Sequence, residues 1–570
     1  MPVLLTDNPG FDKAPKPPTD MNAVAALTIS LALLVPGPGS QPQPSIPETL
    51  PPSSTRALAT QELTYKQARH LLMRAGFGGS PEQIKKLQQM GLQAAVAYLV
   101  DYERLPQDVP GHGVIPPEPI ARGTFRRLSQ DERRSLQRMR RRTDGRKLQR
   151  LRGWWLRRMV ASERQLEEKM TLFWHGHFTS GYRDVRNAFH MAIQNDLLRE
   201  HATGNFGDLV RAISRDPAML EYLDNRVNGR RKPNENYARE LMELFTLGEG
   251  NYTEKDVKEA ARAFTGWTFR RGTSTFTFQE RNHDYGKKTF LGQQGYFDGD
   301  HIIDIILAQE AACRHLARKL LGFFAVDATD EEIAPYARLL RRTNFELKPF
   351  FRTLFSSEWF HSDRVMGKII KSPVVLVVST IRMMGVTIGP GNTAATLARY
   401  CDQIGQSLLQ PPNVKGWDGG AAWVTSSNLL TRYNITRSLI TGVGRGGDNR
   451  NRRNQRNRRP IRSARQEMDE MDMRGQARNA RNDRAQGPAG FDILALVKKA
   501  GVSRPAEIVS LLEERFLVTP ISKQRRQALF DFLEGADGSP ALNLDSTRRA
   551  TNKLNELLHL ITTTPEFQIC

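Results

Sequence analysis

Two histidines, His175 and His177, flank a single glycine in the run EKMTLFWHGHFTSG (168–181). On a continuous helix turning about 100° per residue, their side chains point about 200° apart. Both can hold one metal ion only if Gly176 breaks the helix, and helices commonly end on a left-handed glycine. If the helix continues, His177 shares the face of Leu166, Met170 and Phe173, and His175 the opposite one. The chemistry such imidazoles suggest is ligation of a divalent metal ion of unspecified identity, with His283 and Asp284 as further candidate ligands.

Glu240 and Glu243 are three residues apart in NENYARELMEL and share a helix face with Asn236 and Arg239, opposite Tyr237, Leu241, Leu244 and Phe245. Two carboxylates and two imidazoles suit a metal-dependent, hydrolase-like site, with His175 and His177 as ligands and Glu240 or Glu243 as ligand or base. A plainer reading stands beside it. An amphipathic helix turns its Glu and Arg residues to solvent, and Arg239 with Glu243 is an ordinary i, i+4 pair. A histidine at a helix C-terminus can simply complement the free carbonyls.

Other signatures fail. Asp298-Gly299-Asp300 lacks EF-hand spacing and reads as a turn, with Asp300 capping the helix HIIDII. GVGRGG (442–447) matches a dinucleotide fingerprint only formally, because no strand-turn-helix surrounds it. The chain has no P-loop, no G-x-S-x-G elbow and no H-E-x-x-H.

The elements that must position these residues are mostly helical. Ser80-Pro81-Glu82-Gln83 supplies an N-cap, a first-turn proline and a capping-box glutamine, and Gly91 should end that helix. Thr253-x-x-Asp256 opens another that Gly266 closes. Between them, PNENYARELMELFTLG reads as a helix entered after Pro233 and left at Gly248. The clearest strand signal is Thr273 to Gln279, pairing with WTFRR across Arg271-Gly272. Three segments, DLVRAISRDPAML (208–220), PFFRTLFSSEWF (349–360) and LLHLITTTPEF (557–567), share an apolar helix ending in a short polar turn.

The chain has 570 residues and a net charge of +22. Two stretches, Ala121 to Arg158 and Thr441 to Arg484, together carry 19 of those charges, so the remainder is near neutral. The first could form one long helix with Leu128, Leu136, Met139, Leu148, Leu151 and Trp155 as a partial apolar stripe. It could lie on an anionic polymer or envelope surface, or simply be a well-solvated helix. The second, within 442–488, has too little apolar content to bury anything, which predicts disorder. Few aromatics accompany it, arguing against a dedicated nucleic-acid binder.

Cys313, Cys401 and Cys570 have no paired spacing, so neither a disulfide framework nor a thiolate zinc site is expected. The apolar run Ala23 to Val35 has the length of a secretory signal core and falls short of a membrane span, which predicts export.

Taken together, EKMTLFWHGHFTSG, QNDLLREHATGNF, PNENYARELMELFTLGEGNYTEKDVKEAARAFTGW, HDYGKKTFLG, FDGDHIIDII, IKSPVVLVV, LLQPPNVKGWDGGAAWVTSSNLLTRYN and TTPEFQ resemble the bacterial domain-of-unknown-function family numbered 1800. The resemblance runs from about Tyr65 to Phe567, interrupted by the Arg/Asn-rich tract. It implies a helical domain, frequently exported and often encoded beside a second exported family resembling sulfatases, and it brings no settled activity or catalytic residues.

The expected fold is all-α: an irregular multi-helix domain over 61–440 with a small β-hairpin, a disordered insertion over 441–489 and a helical segment over 490–570 packing on the main domain. Residues 1–60 are expected to be a signal-like segment and a Pro-rich linker. Two functions remain open: an exported metal-dependent enzyme, or a non-catalytic envelope or matrix protein binding anionic polymers through its Arg-rich segments.

Overall fold

Helix punctuation in the sequence translates directly into structure. In the computed structural model, which describes residues 54–442 and 491–570 apart from positions 61, 108, 119–122, 271, 390–391, 537 and 539, helices dominate. The apolar run at 23–35 and the tract at 443–490 lie outside those residues.

Ser80 caps the helix Pro81–Met90 through a capping box with Gln83, and Thr253 caps Glu254–Ala263 through Asp256. The three similar segments form helices ending at Ser214, Ser356 and Thr563. One cap differs from expectation. The helix Gly299–Ala308 is capped by Asp298, which accepts from the Asp300 and His301 N–H groups. Asp300 already lies inside that helix, and its carboxylate pairs with Arg215 at 2.5 Å.

The expected hairpin pairs Trp267–Arg270 with Thr275–Phe278, Trp267 opposite Phe278. A second, Lys288–Phe290 with Gln293–Gly295, was not legible. Three-residue strands are too short to show alternation. Its turn has positive φ at both Leu291 (44°) and Gly292 (79°), the pattern that matches strand twist in two-residue hairpins.

The core has two hydrophobic clusters. One gathers Leu71, Trp174, Phe245, Phe264, Leu320 and Phe351. The other joins Leu151, Trp155 and Val378 to Val497, Leu512 and Leu557, so the segment after 490 shares buried surface with the helices before 442. The helix Gln165–His177 lies between them, with Trp174 in the first cluster and Leu172 in the second.

Beside it runs the arginine-rich helix Gln130–Ala161, preceded by a separate turn, Thr124–Arg127. Of the expected stripe, Leu148, Leu151 and Trp155 are buried, whereas Met139 is 59% exposed. The C-terminal half of the helix therefore belongs to the core and the N-terminal half stands in solvent. Its anchor is ionic as well as apolar. Buried Glu168 accepts from Arg158, from Arg199 at 2.7 Å and from the Trp155 indole at 3.0 Å, so a carboxylate without water has three donors.

Candidate functional site

Gly176 does not break its helix. The helix runs through to His177, and Phe178 closes it by donating to the Trp174 carbonyl at 2.7 Å. The two imidazoles consequently diverge, as a continuous helix requires. His175 enters the core between Trp155 and Trp417, and its Nε2 accepts from the Leu409 N–H at 2.9 Å. Burial, reinforced by Arg152, pushes it down to about 3, so it is neutral. His177 points instead to Phe173, Phe178 and Phe245. The helix break that joint ligation of one metal ion required is absent.

The loop that meets His175 is the segment LLQPPNVKGWDGG. Leu409 adopts a φ of 61°, its N–H bonds His175 and its carbonyl accepts from the Tyr182 N–H at 3.0 Å. Thr179 Oγ1 donates to the Val414 carbonyl. Gly416, at φ 85°, passes so close that a Cβ there would lie 2.6 Å from the Gly176 carbonyl oxygen. These contacts fix Lys415 against the end of the histidine helix.

The third wall is the NENYARELMEL segment. It starts as the helix Asn236–Glu240 and widens into a π-turn, Leu241–Thr246, in which the N–H groups of Leu247 and Gly248 both reach the Met242 carbonyl. Such turns recur at functional sites because they displace backbone groups from the regular ladder. Here two carbonyls are taken by imidazoles: Phe245 by His177 Nε2 at 2.9 Å and Leu244 by His315 Nε2 at 3.0 Å. A carbonyl only accepts, so each Nε2 carries the proton and each Nδ1 the lone pair. Burial holds His177 well below the usual histidine range and His315 at about 4, so both stay neutral. Neither Nε2 is open to a metal ion.

Between these walls lies a cleft of about 390 Å³ whose lining includes His177, Glu243, His315, Lys319 and Lys415. Glu240 and Glu243 are both half-buried. Arg239 does not pair with Glu243 as the plainer reading supposed; it is drawn to Glu254 at 2.6 Å and Glu235 at 3.4 Å. Glu243 accepts from the Tyr252 hydroxyl at 3.0 Å. Burial, and then the neighbouring Glu243 carboxylate, raises the Glu240 carboxyl, with Arg239 and Lys415 opposing. Glu240 therefore holds its proton to higher pH than an ordinary glutamate does, and Glu243 beside it is anchored on Tyr252.

Of the sequence-predicted residues, His177 and Glu243 line this cleft, whereas His175, Glu240, His283 and Asp284 do not. His283 Nδ1 bonds the Thr265 carbonyl at 2.9 Å, and Asp284 is clasped by Arg262 at 2.7 Å, which lowers its carboxyl. Among the described residues no group of three or more His, Cys, Asp or Glu side chains is placed to hold a metal ion. Sequence reasoning missed His315, Lys319 and Tyr252. His315 sits on an ordinary amphipathic helix, Glu310–Phe324, with nothing local to mark it. Lys415 could have been found through its glycine-rich loop.

A family model described as a protein of unknown function (DUF1800) matches residues 70–569. No curated protein and no solved structure matches the chain.

Proposed function

Since the chain belongs to the DUF1800 family, whose function is unknown, we propose from its own geometry that the cleft lined by Glu243, with Glu240 as its electrostatic neighbour, is the acid–base site of a hydrolase-like enzyme. The observation that supports this is the unequal pair: Glu240 raised by burial and by its neighbour, Glu243 anchored on Tyr252. Hydrolysis needs a proton for the leaving group and a base for the attacking water, and a carboxyl raised by burial beside a second carboxylate suits that pair of roles. Glu240 is the proton donor and Glu243 the base. His177 and His315 act through the backbone, holding the π-turn that presents Glu243. Lys415 stands across the cleft to meet negative charge developing on the substrate.

The scheme needs no metal ion: its acid and base are Glu240 and Glu243, and the Nε2 atoms of His177 and His315 are engaged by backbone carbonyls. The test is a panel of chromogenic esters, glycosides, phosphates and sulfates assayed with wild type, Glu240→Gln and Glu243→Gln. Loss of general acid or base catalysis should lower turnover of a hydrolysed class by about 10²- to 10⁴-fold in either variant. Undiminished rates in Glu240→Gln, or no hydrolysis of any class by the wild type, would contradict the assignment.

A further inference from the structure

The exposed half of the Gln130–Ala161 helix carries a pattern that the acid–base site does not use. Arg134, Arg138, Arg142, Arg146 and Arg150 follow one another at four-residue intervals, and all five are exposed. Residues four apart form one ridge of a helix surface; at about 1.5 Å per residue the arginines stand about 6 Å apart in a row about 24 Å long. Of the five, only Arg134 has an acidic neighbour among the described residues, Asp131 at 3.9 Å. Of the helix's other two acids, Glu132 is held in the capping box by the Ser129 N–H and hydroxyl, each at 2.8 Å, and Asp144 is turned inward, accepting from the Tyr182 hydroxyl at 2.8 Å and the Ala188 N–H. The ridge is thus a cationic track that winds about 160° around the helix from Arg134 to Arg150, with almost no internal neutralisation.

Its surroundings narrow the partner. An interfacial helix needs a continuous apolar face, and between positions 130 and 147 the large apolar residues are Leu136 and Met139 alone. A single-stranded nucleic acid needs aromatic platforms for its bases, and no aromatic residue lies between 126 and 153. A linear polysaccharide with an acidic group on each sugar needs neither; it needs cations at a regular repeat. Where the ridge meets the body, Arg150 and Arg157 line a pocket of about 340 Å³ with Trp154 and His112, an indole beside guanidiniums that suits a charged sugar ring. We propose that this arginine ridge binds a linear acidic polysaccharide along the helix, its acidic groups facing successive arginines.

The experiment uses the full chain, so that the tract at 443–490 gives the same background throughout. Binding of an oligogalacturonate, an oligothymidylate and phosphatidylglycerol vesicles is measured across a salt series. Arg138→Gln/Arg142→Gln/Arg146→Gln should weaken oligogalacturonate binding about tenfold or more and flatten its salt dependence, whereas equal charge removal off the ridge, Arg126→Gln/Arg127→Gln/Arg141→Gln, should cost less than about threefold. Lysine at the three ridge positions keeps the charges and should restore most of the affinity. Equal losses in both glutamine triples would overturn the ridge. Tighter binding of oligothymidylate or of the vesicles through the same three arginines would overturn the polysaccharide and assign the track to nucleic acid or lipid.

Discussion

His177 donates from Nε2 to the carbonyl oxygen of Phe245 at 2.9 Å, tying the end of one buried helix to the π-turn that carries Glu243. The bond settles three things at once: the tautomer of the imidazole, its unavailability as an Nε2 metal ligand, and the placement of one cleft wall. His177→Ala would leave the Phe245 carbonyl unpaired and open a cavity among Phe173, Phe178 and Phe245. The expected loss is about 2–4 kcal/mol in urea unfolding, from the unsatisfied acceptor and the missing ring together. A loss below about 0.5 kcal/mol would show that the clamp does not matter.

Gly416→Ala should be costly although glycine-to-alanine changes at compatible sites are mild. The position has φ 85°, and its new methyl would meet the Gly176 carbonyl oxygen, a backbone atom, at 2.6 Å. A destabilisation of about 1–3 kcal/mol is expected, and with it a displaced Lys415. Unfolding midpoints of the two proteins decide it; equal midpoints would mean that the loop can retreat freely.

Removing the charge from Glu168 should be among the most destabilising conservative changes in the chain. Arg158 and Arg199 are both buried against it, so Glu168→Gln removes the shared buried counter-charge and leaves Arg158 with Glu167 at 2.9 Å and Arg199 with the more exposed Asp196 at 3.1 Å. The expected cost is about 3–5 kcal/mol, read from thermal or denaturant unfolding. A near-neutral effect would mean that Glu167, Asp196 and Asn195 suffice as partners.

The buried histidines predict acid sensitivity. His175 is held at about 3, and His190, His315 and His361 at about 4, all chiefly by burial. Their folded pKa values lie below the unfolded one near 6.5, so the unfolded chain binds more protons, and stability present above about pH 6.5 is lost as pH falls. Each imidazole contributes up to about 1.4 kcal/mol per pH unit in that window. Asp216, raised to about 7 by burial, works the other way and offsets about one of them. The urea midpoint should therefore drop between pH 7.5 and pH 5.5. A flat profile would contradict the burial of these rings.

Much of the architecture was legible because its signals are local. The capping boxes at Ser80 and Thr253 and the hairpin at Trp267 need only neighbours in sequence. What stayed hidden depends on distant contacts. Whether Gly176 ends its helix is decided by the loop at Leu409 and by Phe245, more than sixty residues away, which give both imidazoles partners without a break. The partner of Arg239 was misjudged for a related reason: Glu254 lies on the next helix and competes better than the i, i+4 neighbour Glu243. His315 and Lys319 reach the cleft only through tertiary packing, so no pattern in their own helix distinguishes them.

The direct test of the unequal carboxylate pair is a ¹³C NMR titration of the Glu240 side-chain carboxyl in the full chain, assigned by its absence in Glu240→Gln and repeated in Glu243→Gln. The wild-type midpoint should lie above the ordinary glutamate range and move down when Glu243 loses its charge, since burial and that neighbour both raise it. A midpoint at or below the ordinary range, or one that Glu243→Gln leaves in place, would contradict the pairing on which the acid–base assignment stands.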